Sequence, residues 1–169
     1  LYGLYLGLSQ LLATLAVFAF GLHSSAEGLA RAQRPESIIG FVLMMIVLGL
    51  AYRAAKKASF ARGAPDLALG ASAKLATLTA VVGGVIVGLT QWLYVVLLNP
   101  RLVEVQRAAV MERVGPDLAK LSAEEAAALT EKIDFATSAV ARGIVFGINT
   151  VLFAALLGTM EMVLAKSDM

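Results

Sequence analysis

Glu161 is the one carboxylate placed inside an otherwise apolar span of this sequence. A charge at membrane depth is costly unless it is paired or used, so the chemistry open to it is proton relay or the binding of a partner. Lys74, expected at comparable depth at the start of the preceding span, supplies the plainer reading, a neutralising ion pair. Gln91 and Asn149 are the strongly polar uncharged residues of the later spans. Antiparallel pairing would bring them to similar depth, where their amides can bond to each other or line a path for a substrate. An interhelical bond of this kind contributes about 0.6 kcal/mol on average, enough to fix register.

His23 stands beside Ser24 and Ser25. With no second histidine and no fixed acid in view, its imidazole is expected to be solvated at the membrane interface. Arg142, near the start of the last span, is expected to snorkel toward headgroups or an acidic loop. The chain has no cysteine and one histidine, which excludes disulfides, thiolate nucleophiles, cysteine-ligated zinc and a multi-histidine metal site. No phosphate-binding loop, dinucleotide fingerprint, nucleophile elbow or zincin helix occurs. No catalytic, cofactor-binding or metal-ligating residue is therefore assigned, and the expectation is a protein that is not an enzyme. A lipid-modifying activity lacks a nucleophile and base within reach of each other.

The elements that must hold these residues follow from composition. Of 169 residues 59% are hydrophobic and 15% are charged, against about 25% charged in ordinary soluble proteins, and the mean hydropathy is +0.81. A water-soluble monomer would lack the polar residues to cover its surface. The net charge of +2 forms no basic stripe suited to a phosphate backbone, so nucleic acid is not an expected partner.

Four runs are apolar enough to cross a bilayer, at about 4–22, 38–55, 75–98 and 139–165, each near the ~20 residues a crossing needs. The opening run is read as a membrane helix. Polar residues from His23 to Arg34 separate the first two runs, and Pro35 with Ser37 marks the start of the second helix. Arg53, Lys56, Lys57, Arg62 and Lys74 crowd together with Asp66 as their single acid, while Gly63, Pro65 and Gly70 interrupt helix between the spans. Basic density beside membrane ends puts this loop, and with it both termini, on the cytoplasmic side of a bacterial inner membrane. Trp92, Tyr94, Tyr2 and Tyr5 read as interfacial anchors.

The segment between the last two spans is expected to be a helical hairpin over about 101–134. Leu102, Val103, Val105, Ala109, Val110 and Val114 share one helical face, with Arg101, Glu104, Arg107 and Glu112 turned away. Gly115-Pro116 is expected to break this helix, and Ser122 with Glu125 forms a capping-box pattern that starts a second one, continuous with the fourth span. Gly3 and Gly7, Gly84 and Gly88, and Gly143 and Gly147 have the small-xxx-small spacing that lets helices approach closely, within one chain or between copies.

The second half of the chain resembles the bacterial four-helix membrane proteins catalogued as domain of unknown function 4199. The resemblance runs through Ser59-Phe60, Leu69-Gly70, Gly83-Gly84, the aromatic end around Trp92 and Tyr94, Asn99-Pro100, the charged helix from Arg101, the Leu121-Ser122-Ala123-Glu124-Glu125 turn and the glycine-bearing last span. It implies an all-α integral membrane fold and carries no activity and no site residue. The expected function is an accessory, assembly or interaction subunit of the inner membrane, in contact with lipids and with another membrane protein or further copies of itself. The alternative is a small oligomeric transporter or channel lined by Gln91, Asn149 and Glu161.

Overall fold

Lipid offers the backbone no hydrogen-bond partners, so apolar segments of this length must satisfy their peptide groups internally as helices. The computed structural model describes residues 1–60 and 69–167, without the side chains of Gln33, 59–60, 69–73 and 159–167. Every described element is helical: α1 (Tyr2–Ala19), α2 (Ala26–Phe60), α3 (Leu69–Leu93), a π-helical turn (Tyr94–Leu98), α4 (Arg101–Leu118), α5 (Ala123–Ala136) and α6 (Ala139–Ser167). Four helical stretches are long and apolar enough to span a membrane: α1, α2, α3 with its π turn, and α6. The helices α4 and α5 form the hairpin between the third and fourth.

Several boundaries differ from the sequence reading. Helix α2 begins at Ala26 rather than near Ile38. Ala26, Glu27, Leu29, Ala30, Arg31 and Ala32 are good helix formers, and Ser25 Oγ accepts the Gly28 N–H at 3.0 Å to cap them. The reversal from α1 uses Gly21, whose φ of 70° suits a residue without Cβ. Pro35 lies inside α2, not at its start. The polar stretch is thus the opening of a long helix, and its residues lie on the bundle instead of in a loop. Helix α4 likewise runs through Gly115-Pro116 to Leu118; with no Cβ at Gly115, part of the clash with the proline ring is absent. Thr137 and Ser138 separate α5 from α6 where continuity was expected. The Thr137 hydroxyl donates to the Ile133 carbonyl at 2.9 Å, and Ser138 Oγ accepts the Ala141 N–H at 3.1 Å, capping α6. The interrupting Arg62, Gly63, Pro65 and Asp66 lie outside the described residues; Gly70 falls within α3.

Going round the bundle the order is α1, α2, α6, α3, and the tightest packing is between α3 and α6. Glycines explain that closeness. A Cβ on Gly84 would come within 2.7 Å of the Gly147 carbonyl oxygen, and one on Gly143 within 2.8 Å of the Gly88 oxygen. Gly3 sits against Val82 and Gly7 against Ile86, setting α1 on α3. In this chain all three glycine pairs lie at contacts between its own helices.

The bundle has two unlike ends. At the end where α1 begins and α2 finishes, Leu6, Met44, Val47, Leu48, Ala80 and Ala154 form an apolar cluster among the described residues, with Thr79 buried nearby. We call this the basic end, since Arg53, Lys56, Lys57 and Lys74 lie beside it. At the opposite, hairpin end, Tyr94, Val95 and Leu102 are buried with Leu15, Leu29, Val103 and Ala139 packed against them. Leu102 therefore roots the hairpin in the bundle. Of the apolar face expected on α4, Leu102 is buried and Val103, Val105, Ala109, Val110 and Val114 are half-buried, while Arg101, Glu104, Arg107 and Glu112 are exposed.

Candidate functional site at the hairpin end

Seven polar residues from distant parts of the chain meet at the hairpin end. Thr14 comes from α1, His23 from the following turn, Glu36 from the early turns of α2, Gln91 from the end of α3, Tyr94 and Asn99 from the π turn and its exit, and Arg142 from the first turns of α6. The π turn positions two of them. Its widened backbone bond, from the Asn99 N–H to the Tyr94 carbonyl at 2.9 Å, returns Asn99 to the same side as Tyr94, and Asn99 Nδ2 donates to the Tyr94 hydroxyl at 3.1 Å. Pro100 follows immediately and lacks the N–H that an uninterrupted α-helix would use.

The bonds form a directed chain. Tyr94 Oη and His23 Nδ1 are 2.6 Å apart, and His23 Nε2 faces Glu36 Oε2 at 3.4 Å. The Thr14 hydroxyl donates to Glu36 Oε1 at 2.8 Å and accepts from Gln91 Nε2 at 2.6 Å. Arg142 Nε donates to Gln91 Oε1 at 3.0 Å. Because the Tyr94 oxygen already accepts from Asn99, its proton is free to go to Nδ1, which leaves Nε2–H to donate to Glu36. The arrangement that uses every partner is a neutral His23 protonated on Nε2, an ionised Glu36 and a charged Arg142.

Arg142 Nη2 lies 3.5 Å from Glu36 Oε1. That is an ion-pair separation without hydrogen-bond alignment, and Nη2 is the buried side-chain nitrogen left without a hydrogen bond among the described residues. The guanidinium also stacks over Phe146 at 4.5 Å and near the Tyr94 ring at 6.0 Å. The group is closed to solvent: His23 and Tyr94 are each 1% exposed and Gln91 is 0% exposed, with Arg142 at 8% and Glu36 at 13%. His23 and Glu36 could ligate a metal ion, but no third His, Asp or Glu joins them among the described residues.

This assembly corrects four expectations. His23 is buried between an acid and a phenol instead of solvated at the interface. Arg142 turns inward to Gln91 and Glu36 and does not snorkel. Tyr94 is in the core, unlike Trp92, which remains 39% exposed as an interfacial residue would. Gln91 does not pair with Asn149: its amide is used by Thr14 and Arg142, and Asn149 is on the exposed face of α6. Lys74 is exposed, and the Glu161 side chain lies outside the described residues, as does the pairing expected between them. Glu36, Thr14 and Asn99 are the members that sequence reasoning missed. The available signal for Glu36 was an acid just before the second apolar run and a base, Arg142, at the start of the fourth, at ends that meet at one side of the bundle.

Outside the bundle the hairpin is held by surface contacts. Arg107 Nε meets Asp134 Oδ1 at 2.5 Å across α4 and α5, and the carboxylate raises the pKa of that guanidinium further. Ser122 and Glu125 complete the expected capping box. Hydrogen bonds from the Ser122 hydroxyl and N–H hold the Glu125 carboxyl below its usual range. Leu121 and Phe135 are 40% and 62% exposed on this hairpin.

The model of a family described as "Protein of unknown function (DUF4199)" matches residues 1–162, and the chain belongs to that family. No curated protein and no solved structure matches it.

Proposed function

Since membership of the DUF4199 family brings no activity with it, we propose that this protein is a non-catalytic accessory or assembly subunit of a bacterial inner membrane. In this reading the buried polar cluster locks the four spans together, and the hairpin contacts another membrane protein. The observation that carries the proposal is that the cluster's polar groups bond to one another and are shut from solvent, with His23, Tyr94 and Gln91 at most 1% exposed. A catalytic side chain must reach a substrate, and these side chains are already engaged. The Leu6, Met44, Val47, Leu48, Ala80 and Ala154 cluster at the basic end also offers an ion no group to replace its water. Basic density at that end supports a cytoplasmic side for it and for both termini.

The test is native mass spectrometry of the protein taken from its own host membranes in nanodiscs, together with Leu121→Glu and Phe135→Glu. A stoichiometric membrane-protein partner present with the parent chain and lost with these variants is the expected result. The alternative, a small transporter, draws support from the charged groups Glu36 and Arg142 within candidate spans. Flux in proteoliposomes that Glu36→Gln abolishes, with no partner recovered, would replace the accessory reading with that one.

A further inference from the structure

Asn149 stands ten residues into α6, which begins at Ala139, so it lies ~15 Å along the helix and near the middle of a hydrocarbon layer ~30 Å thick. It is exposed, and its amide has no hydrogen-bond partner among the described residues. Water is scarce at that depth and lipid tails offer neither donor nor acceptor, so an unpaired amide there is unfavourable. Its surroundings form a pattern. Val145 and Leu152 are 52% and 63% exposed, and Leu156 is 58% exposed; with Asn149 they follow intervals of four, three and four residues, the spacing of a coiled-coil seam with one amide in it.

We infer that this face of α6 is a self-association surface, on which two copies of the chain pair Val145, Asn149, Leu152 and Leu156 about a two-fold axis along the membrane normal. The second copy is the occupant because an amide is both donor and acceptor. Copies inserted with the same orientation present Asn149 at the same depth, so each amide meets its own complement. The seam carries no charge that would repel a copy of itself. The glycines that could have served a dimer are consumed inside the chain, by the α3–α6 and α1–α3 contacts, which leaves this amide as the device for pairing. The inference rests on the reading of the protein as one that works by contact with other membrane proteins.

The chain has no cysteine, so single cysteines report directly. In native membranes V145C, L152C and L156C are expected to form oxidative cross-linked dimers at least severalfold faster than I144C, which is also exposed but lies off the seam. On the L152C background, N149V should weaken self-association about threefold to tenfold, the range set by known interhelical hydrogen bonds, while N149Q should retain it. Equal cross-linking at all four positions, or N149V indistinguishable from its parent, would overturn the inference, as would cross-links only to a different protein. A chain that is monomeric by this test but still captures a partner through Leu121 and Phe135 would leave the proposed function standing, so the two readings fail separately.

Discussion

The two ends of this bundle solve the same packing problem with different chemistry. At the basic end, Leu6, Met44, Val47, Leu48, Ala80 and Ala154 form an apolar cluster, and Gly3 and Gly7 let α1 settle on α3, while the α3–α6 glycine contacts continue through Gly84–Gly147 to Gly88–Gly143. At the hairpin end the same helices are joined by a net of side chains around Glu36 and Arg142. In lipid, apolar contacts discriminate weakly between one arrangement of apolar helices and another, because tails are as apolar as leucine. A shape-dependent glycine contact fixes distance, whereas a buried ion pair with oriented hydrogen bonds fixes which helices meet and at what register. The difference teaches that closeness and identity of neighbours are specified by two devices, glycine contacts along the bundle and a polar net at its hairpin end.

That division can be broken most strongly at the ion pair. Glu36→Leu leaves Arg142 buried without its counter-charge and is expected to lower stability by about 3–5 kcal/mol, read by thermal or denaturant unfolding in detergent. Adding Arg142→Met should recover much of the loss, and a double variant as unstable as the sum of the singles would refute the pairing. At the glycine contacts, Gly84→Val pushes a side chain into the Gly147 backbone and Val151 and should cost about 1–3 kcal/mol. Gly115→Ala meets nothing within 4 Å beyond its chain neighbours and restores only the Cβ clash with the Pro116 ring, so it is expected to cost less than Gly84→Val.

A finer cut at the hairpin end is Tyr94→Phe. It removes the hydroxyl that joins Asn99 to His23 while keeping the ring beside Phe18 and Arg142, at an expected cost of about 1–2 kcal/mol. No change at all would mean that the hydroxyl chain is not part of what holds this end. The smallest effect belongs outside the bundle, where Ser122→Ala should destabilise α5 by about 1 kcal/mol, seen as faster amide exchange in Ala123–Ala136. Because Ser122 depresses the Glu125 pKa, the parent chain keeps this contribution above the ordinary carboxylate range. It is lost as pH falls through the lowered folded value. Protection in α5, taken relative to the intrinsic exchange rate at each pH, should therefore fall with acid in the parent and respond less in Ser122→Ala.

Much of the architecture was legible residue by residue. The third span could be placed from Leu75 to Leu98 because crossing a bilayer demands a long apolar run whatever surrounds it. Ser122 and Glu125 could be paired because a capping box is completed within four residues. The start of α2 was misread because Glu27, Arg31 and Arg34 suggest a polar loop, although they lie on a helix that Ser25 caps. His23, Tyr94 and Arg142 each read as interfacial for the same reason: near a membrane edge, a polar residue has water and headgroups as its default partners.

The sequence by itself determined the number of apolar spans, the amphipathic α4 face and the glycine spacing, since these follow from local chain chemistry and the solvent around it. Only the tertiary structure decided which polar groups meet. Thr14, Glu36, Gln91 and Arg142 converge because α1, α2, α6 and α3 adopt that order around the bundle. The same packing left Asn149 on the outer face of α6. Hydrogen bonds between side chains so far apart in the chain depend on helix rotation and depth, which no single span encodes and which are fixed when the helices pack.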